Sequence, residues 1–437
     1  MNVEKALKRT FWIAGVVMLL VGAVGWYMRL KSGHQDANYG SIVTWGLWVA
    51  AYVFFSSLSA GLFIMAALHY VFGVERLRPV ARPALFGAFV ALIMALLFIW
   101  VDLGKMSRVT NVFIYANFRS PMAWMIWLYT AYMLLLVAIL WLSVRRDLAL
   151  RADSTDTRAG ISKLLTLGFR DVSDDSDVRD RRLVRRLSVV ALPIAVIFPA
   201  GVGALFGVVG ARPAWNSGLT PLLFVVSGVA SGAAALLFFS AIFQDGIRQW
   251  SGTVRLLSQM LIGLLALDVA FQASEWIVGL SSSAPAHADA LGLIVWGPYW
   301  PVFWIWQFGL GVIVPLILLL RARHHTSIAA VATAGFLVAF GLFGLRLNIV
   351  IPALATEEIA GLGNAIASKR LQVDYLPSLM EWLVGAGILG LGLLMFGLGE
   401  RYLPADPLTA PGSGQPATLG SGDSSTTATS KDSHVHI

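Results

Sequence analysis

The sequence contains no cysteine, and its apolar segments hold a single histidine, His69. Without cysteine the chain has no thiolates for an iron–sulfur cluster and no attachment point for a covalent haem; one intramembrane histidine falls short of the two axial ligands of a b-type haem. Any electrons that pass through this protein therefore need a cofactor held by another subunit. Charge is scarce as well. Only 13% of the 437 residues are charged and 57% are apolar, with a mean hydropathy of +0.75, whereas soluble domains carry roughly 25% charged residues. Alternating strands of the kind that build membrane barrels are missing too.

What is present is a series of long apolar runs. Ten reach the roughly 20 residues needed to span a bilayer: 11–28, 43–72, 83–102, 121–144, 187–209, 218–243, 255–280, 300–320, 328–352 and 378–398. In lipid such runs must be helical, because nothing else satisfies their backbone groups. The expected fold is thus an all-α polytopic membrane protein with about ten transmembrane helices. The first run follows Lys5, Lys8 and Arg9 and is too long for a signal-peptide core, so it reads as a retained anchor. With the N-terminus inside, the inner side carries 23 of the 32 Lys and Arg, and the outer loops carry 8. That asymmetry places both termini in the cytoplasm of a bacterial inner membrane. It also explains the pI near 9.8 without nucleic acid.

Organisation follows from the breaks. The expected divisions are an N-terminal anchor helix and outer loop (1–42), the first part of one bundle (43–144), a cytoplasmic loop (145–186), that bundle's last helix (187–209), a second bundle (210–352), an outer loop and tenth helix (353–404), and a disordered tail (405–437) rich in Gly, Ser, Thr and Pro. His434 and His436 in that tail lack a third ligand. In the loop, Ile161, Leu164, Leu165 and Phe169 have helical spacing. Both a surface helix and a solvated linker fit. A repeat is visible: Ser59-Ala60-Gly61 matches Ala230-Ser231-Gly232, and Pro121-Met122-Ala123-Trp124 matches Pro301-Val302-Phe303-Trp304. The matches lie four helices apart, which implies two parallel four-helix bundles, spans 2–5 and 6–9, with close backbone approach at the small residues.

Ionisable groups inside a bilayer are costly and mark function by default. Here they are His69, Asp102, Asp268, Glu275, Arg346 and Glu381. At 1.5 Å per residue, Glu275 lies about 7 Å below the outer end of its span. Asp102, Arg346 and Glu381 fall at a similar level, Asp268 nearer mid-membrane, and His69 near the inner end. A polar site facing outward is expected. Arg346 either pairs with Glu381 or Glu275 as a structural tie or serves function with them. Aromatics frame the same level: Trp45, Trp48 and Tyr52; Trp124 and Trp127; Trp296, Tyr299, Trp300, Trp304 and Trp306.

The most specific stretch reads Asp102-Leu103-Gly104-Lys105-Met106-Ser107-Arg108, then Phe118-Arg119-Ser120-Pro121-Met122-Ala123-Trp124. With Tyr52 and Ser59-Ala60-Gly61, Arg346-Leu347-Asn348, and Tyr375-Leu376-Pro377 through Glu381-Trp382, the chain resembles the NrfD/PsrC family of polysulfide-reductase-type membrane subunits over about residues 40–404. Lys105-Met106 departs from the basic-Pro pair of many members. The resemblance implies a subunit that binds quinone or menaquinone near the periplasmic face and holds no haem, iron–sulfur cluster or metal. Electrons would pass to or from a ferredoxin-like iron–sulfur subunit joined to a molybdopterin, hydrogenase or multihaem partner. The chain would not be catalytic alone. On this reading Asp102 is the proton-accepting base, with Tyr52 and Ser120 at the head group and Trp48 and Trp124 walling the ring. Arg108 and Arg119 dock the partner. Asp268, Glu275, Arg346 and Glu381 form a proton path. The rival expectation is a secondary transporter, whose usual signature is an inverted repeat with midplane charges; a third is a purely structural anchor.

Overall fold

A computed structural model describes residues 3–152, 159–243, 251–281, 285–322, 327–357, 361, 368 and 371–403. The expected tail, with His434 and His436, lies outside the described residues. Ten helices are long and apolar enough to cross a membrane: α1 (Val3–Ser32), α2 (Leu47–Tyr70), α3 (Arg78–Asp102), α4 (Pro121–Ala152), α5 (Asp174–Gly207), α6 (Thr220–Phe243), α7 (Ser251–Leu280), α8 (Pro301–Ala322), α9 (Ile328–Val350) and α10 (Leu379–Tyr402). They alternate in direction. The end of the molecule where α2 begins and α3 finishes is called upper, and the opposite end lower.

The apolar runs set the helices, and polar residues set their ends. Ser173 caps α5 through the Ser176 amide, with Asp174, Asp175 and Asp177 in the first turn, where acidic groups oppose the helix dipole. Pro121 and Pro301 open α4 and α8, as their missing amide favours. The first thirteen residues of α8, Pro301–Ile313, wind as a π-helix, a form usually limited to a single turn.

Helix α2 is the axis. It is almost wholly buried and packs against α3, α5, α6, α9 and α10, while α1 lies along α10. The small residues work as expected at the α2–α6 crossing. A Cβ on Gly61 would strike the Gly228 carbonyl, and one on Gly232 would strike the backbone of Gly61 and Leu62. Two helices can touch backbone to backbone only where side chains are missing.

The region 145–186 is not the open loop expected from its charge. α4 runs on to Ala152 and α5 starts at Asp174. Ion pairs hold these polar extensions together: Arg145 with Asp180, Arg82 with Asp147 at 2.7 Å, and Arg146 with Asp174 at 2.9 Å. Between them sits the short helix Ala159–Leu165, tethered where the Trp141 indole donates to the Leu165 carbonyl at 3.1 Å. Leu164 and Leu167 are exposed, which fits the surface-helix alternative.

Candidate functional site

At the upper end the chain leaving α1 turns back over the bundle. Gly33, with φ of +61°, caps α1 in the left-handed conformation that glycine adopts freely. This turn delivers His34 and Tyr39 beside Asp102, the last residue of α3. Arg29 fixes the corner. Its guanidinium donates to the carbonyls of Val101 (2.9 Å) and Leu103 (2.7 Å) and to His34 Nε2 (2.8 Å). A guanidinium can only donate, so His34 Nε2 is an acceptor and the neutral ring carries its proton on Nδ1. The Tyr39 hydroxyl lies 3.2 Å from the same nitrogen and also hydrogen-bonds Asp102. The second carboxylate oxygen of Asp102, Oδ1, is buried without a partner.

Electrostatics follow from this burial. His34 sits below its ordinary pKa, first because burial disfavours the cation and then because Arg29 repels it. It is therefore neutral at pH 7. Burial, reinforced by the Asp102 charge, pushes the Tyr39 phenol well above its ordinary value, so it remains a proton donor. Tyr375 is raised in the same way, by burial and then by Glu381.

His34, Tyr39 and Asp102 line an open cavity of about 960 Å³, together with Trp45, Asn38, Asp374 and Met380. That volume accommodates an aromatic head group with room for water. Trp48 lies behind it, fully buried, with its indole donating to the Glu381 carbonyl at 3.0 Å and the Arg29 guanidinium over its ring.

A second polar cluster lies deeper, between α6, α7, α8 and α9. Asn348 donates to Gln307 (2.7 Å), Gln307 to Gln272 (2.6 Å) and Gln272 to Asp268 (2.6 Å). The π-winding of α8 carries Gln307 into this chain. Arg346 is fully buried, stacked 4.0 Å from the Phe224 ring, and donates to Ser227 Oγ. Arg346 Nη1 and Asp268 Oδ1 have no hydrogen-bond partner. Glu275 accepts from the Ser217 hydroxyl and borders a cavity of about 90 Å³ with His287, Gln272, Gln307 and Asn348. The stacked pair Trp45–Trp215, 5.7 Å apart, forms a wall common to both cavities.

The sequence-selected residues are therefore divided. Asp102 lines the upper cavity, and Trp48 backs it. Tyr52 does not reach it: its hydroxyl bonds Tyr129 of α4 instead. Trp124 is exposed and bonds the Phe118 carbonyl at 2.8 Å; Ser120 lies beside it at the start of α4, its amide bonded to the Asn117 carbonyl. Neither Trp124 nor Ser120 borders the cavity. Arg108 and Arg119 are exposed on the loop between α3 and α4. Arg346 pairs with neither Glu381 nor Glu275 among the described residues. Glu381 instead completes a capping box with Ser378 and also accepts from Asn38 and Tyr375. Asp268 and Arg346 do share one cluster, close enough for their charges to attract. His69 lies at the lower end, its Nδ1 unpartnered. His34, Tyr39 and Arg29 were missed because they sit on or beside a connection between spans. The signal available was the concentration of His, Asp, Asn and Tyr within 34–39.

Comparison with known proteins bears on this arrangement. A family model described as polysulphide reductase, NrfD, matches residues 35–358. A selenate reductase subunit of Mesobacillus selenatarsenatis is 32% identical, covering 91% of this chain and 94% of that protein. A putative dimethyl sulfoxide reductase membrane subunit of Halobacterium salinarum is also 32% identical, with 90% and 91% covered. An Hdr-like menaquinol oxidoreductase integral membrane subunit of Archaeoglobus fulgidus is 26% identical, with 90% and 93% covered.

Proposed function

Because this chain belongs to the NrfD polysulphide reductase family of membrane oxidoreductase subunits, we propose that it binds a quinol or quinone in the upper cavity and exchanges its electrons with an attached iron–sulfur subunit. The observation that carries this reading is Asp102: a buried carboxylate with one free oxygen, facing a cavity of ring-accommodating size. The A. fulgidus relative, named for menaquinol, supports the same substrate class. The charge asymmetry of the loops supports a lower end in the cytoplasm of a bacterial inner membrane and a cavity toward the periplasm.

Oxidation of a quinol releases two protons and two electrons. Asp102 Oδ1 accepts one proton from a ring hydroxyl within hydrogen-bond reach. Tyr39 passes the second: its oxygen accepts from the other hydroxyl while its own proton moves to His34 Nε2, and Arg29 releases that nitrogen while keeping its bonds to the Val101 and Leu103 carbonyls. The electrons leave to the iron–sulfur partner, for which the exposed Arg108 and Arg119 form the docking edge with Phe113, Phe118 and Trp124. Reduction runs the same steps backward. In the second cluster, Asp268, Glu275 and Arg346 are the groups for proton transfer between the faces. Glu381 lies behind the upper cavity, where it caps the start of α10.

The test is Asp102→Asn in the assembled complex. Loss of a positioned base costs about 10²–10⁴-fold in turnover, so quinol-dependent activity falls by at least about a hundredfold while assembly is kept. Turnover near wild type overturns the assignment.

A further inference from the structure

The lower end holds a second open cleft. The end of α2, the start of α3 and the polar extensions of α4 and α5 enclose about 320 Å³ there. Five arginines line it: Arg78, Arg82, Arg146, Arg181 and Arg185. Three are held by carboxylates. Arg82 meets Asp147 at 2.7 Å, Arg146 meets Asp177 at 3.3 Å, and Arg181 meets Asp177 at 2.7 Å. Asp180, also at the cleft, is taken by Arg145. The carboxylates' charge is thus spent inside ion pairs, which argues against a cation site. Arg78 and Arg185 line the cleft with no carboxylate partner among the described residues. Of the four acidic side chains that line the cleft, Glu75, beside His69, is the one outside these ion pairs, and His69 Nδ1 has no hydrogen-bond partner.

Depth identifies what such a cleft meets. Val189 and Val190 of α5, within its apolar span, are about half exposed. Arg185 lies four residues before Val189, about 6 Å along the helix axis. Leu142 and Val184 line the apolar flank of the cleft, and Phe72 in the turn between α2 and α3 is 65% exposed. Arg185 therefore sits one helical turn from exposed apolar surface of α5, and Arg78 lines the same cleft.

We propose that this cleft binds the phosphodiester head group of an anionic phospholipid, with Arg78 and Arg185 as its forks. Guanidiniums bind phosphate oxygens in pairs, and basic pockets between membrane helices collect anionic lipids. The acyl chains lie over Val189 and Val190. The three paired arginines hold the walls in position, because Asp177 and Asp147 fix their side chains. A soluble phosphate shares the head-group chemistry and lacks the chains.

Thermal melting of the detergent-solubilised full-length protein distinguishes these cases. It is titrated separately with phosphatidylglycerol, phosphatidylcholine and inorganic phosphate. Phosphatidylglycerol raises the midpoint of the wild type, and the other two do not. Joint Arg78→Gln and Arg185→Gln substitution raises the half-saturating phosphatidylglycerol concentration by about tenfold or more. Joint substitution to Lys recovers part of the loss, because charge remains and the fork does not. Joint Arg182→Gln and Arg186→Gln, on exposed positions of the same helix that do not line the cleft, leaves the response intact. Wild-type behaviour of the Arg78/Arg185 variant overturns the site, as does an equal loss in the Arg182/Arg186 variant. A response to inorganic phosphate without one to phosphatidylglycerol overturns the lipid as occupant.

Discussion

His34 joins the burial, charge and hydrogen-bonding of the upper cavity in one side chain. Burial and Arg29 lower its pKa, so the folded protein keeps the neutral ring to a more acid pH than the ordinary value of about 6.5. A neutral ring accepts the proton relayed by Tyr39, and a protonated ring does not. Quinol oxidation therefore loses this acceptor only as pH falls through the lowered value. The acid limb of the pH–rate profile of the assembled complex lies below about 6.5, and His34→Gln lowers turnover and shifts that limb. An unchanged profile in the variant contradicts the relay. Asp102 was readable in the sequence because an acid in a lipid-facing run needs a reason. His34 and Tyr39 were not, because a connection of polar residues looks alike whether it folds away from the bundle or over it. Tyr52 misled for a related reason. Its depth resembles that of Trp48, but a periodicity does not say which neighbour a helix face meets, and that face meets Tyr129. Glu381 carried a readable cue, the Ser378-x-x-Glu spacing of a capping box, that outranks its apparent depth.

Helices carry the next set of consequences. The α2–α6 crossing depends on Gly61, where any added carbon meets the Gly228 carbonyl. Gly61→Val forces the helices apart. Overpacking of this kind costs typically about 1–3 kcal/mol, read as a lowered melting midpoint of the solubilised protein; Gly252→Val, facing open space, has far less effect. Between α7 and α9, Asp268 and Arg346 are buried in one cluster without a direct ion pair, near enough for their charges to attract. Removing one of them leaves the other buried without a compensating charge. Arg346→Leu therefore destabilises strongly, and adding Asp268→Leu recovers part of the loss, a coupling that a double-mutant cycle measures directly. Additive losses contradict the attraction. Spans were legible because hydrocarbon thickness fixes their length. Their polar extensions were not. Hydropathy falls where Arg145, Asp147 and Asp180 begin, yet the ion pairs among helices keep α4 and α5 wound beyond that point. The π-winding of Pro301–Ile313 leaves no periodic trace, since a run apolar on every side has no stripe to shift.

Across the whole molecule, polarity is sorted by depth and by end. The arginines gather at the lower end, and the loop charges alone disclosed that asymmetry. The separation of the upper polar groups into two chambers was hidden, because it depends on Trp45 and Trp215, which lie far apart in sequence and stack in space. The proposed function puts quinone chemistry in the chamber with Asp102, the deeper one being small, at about 90 Å³. A photoreactive menaquinone analogue, crosslinked to the assembled complex in its membrane and mapped by peptide mass spectrometry, discriminates between them. Labelling on residues 34–45 and 372–380, displaced by excess menaquinol, is the expected result. Labelling confined to the lower end or to the chamber around Gln272 and Asn348, or none that menaquinol displaces, contradicts quinol binding beside Asp102.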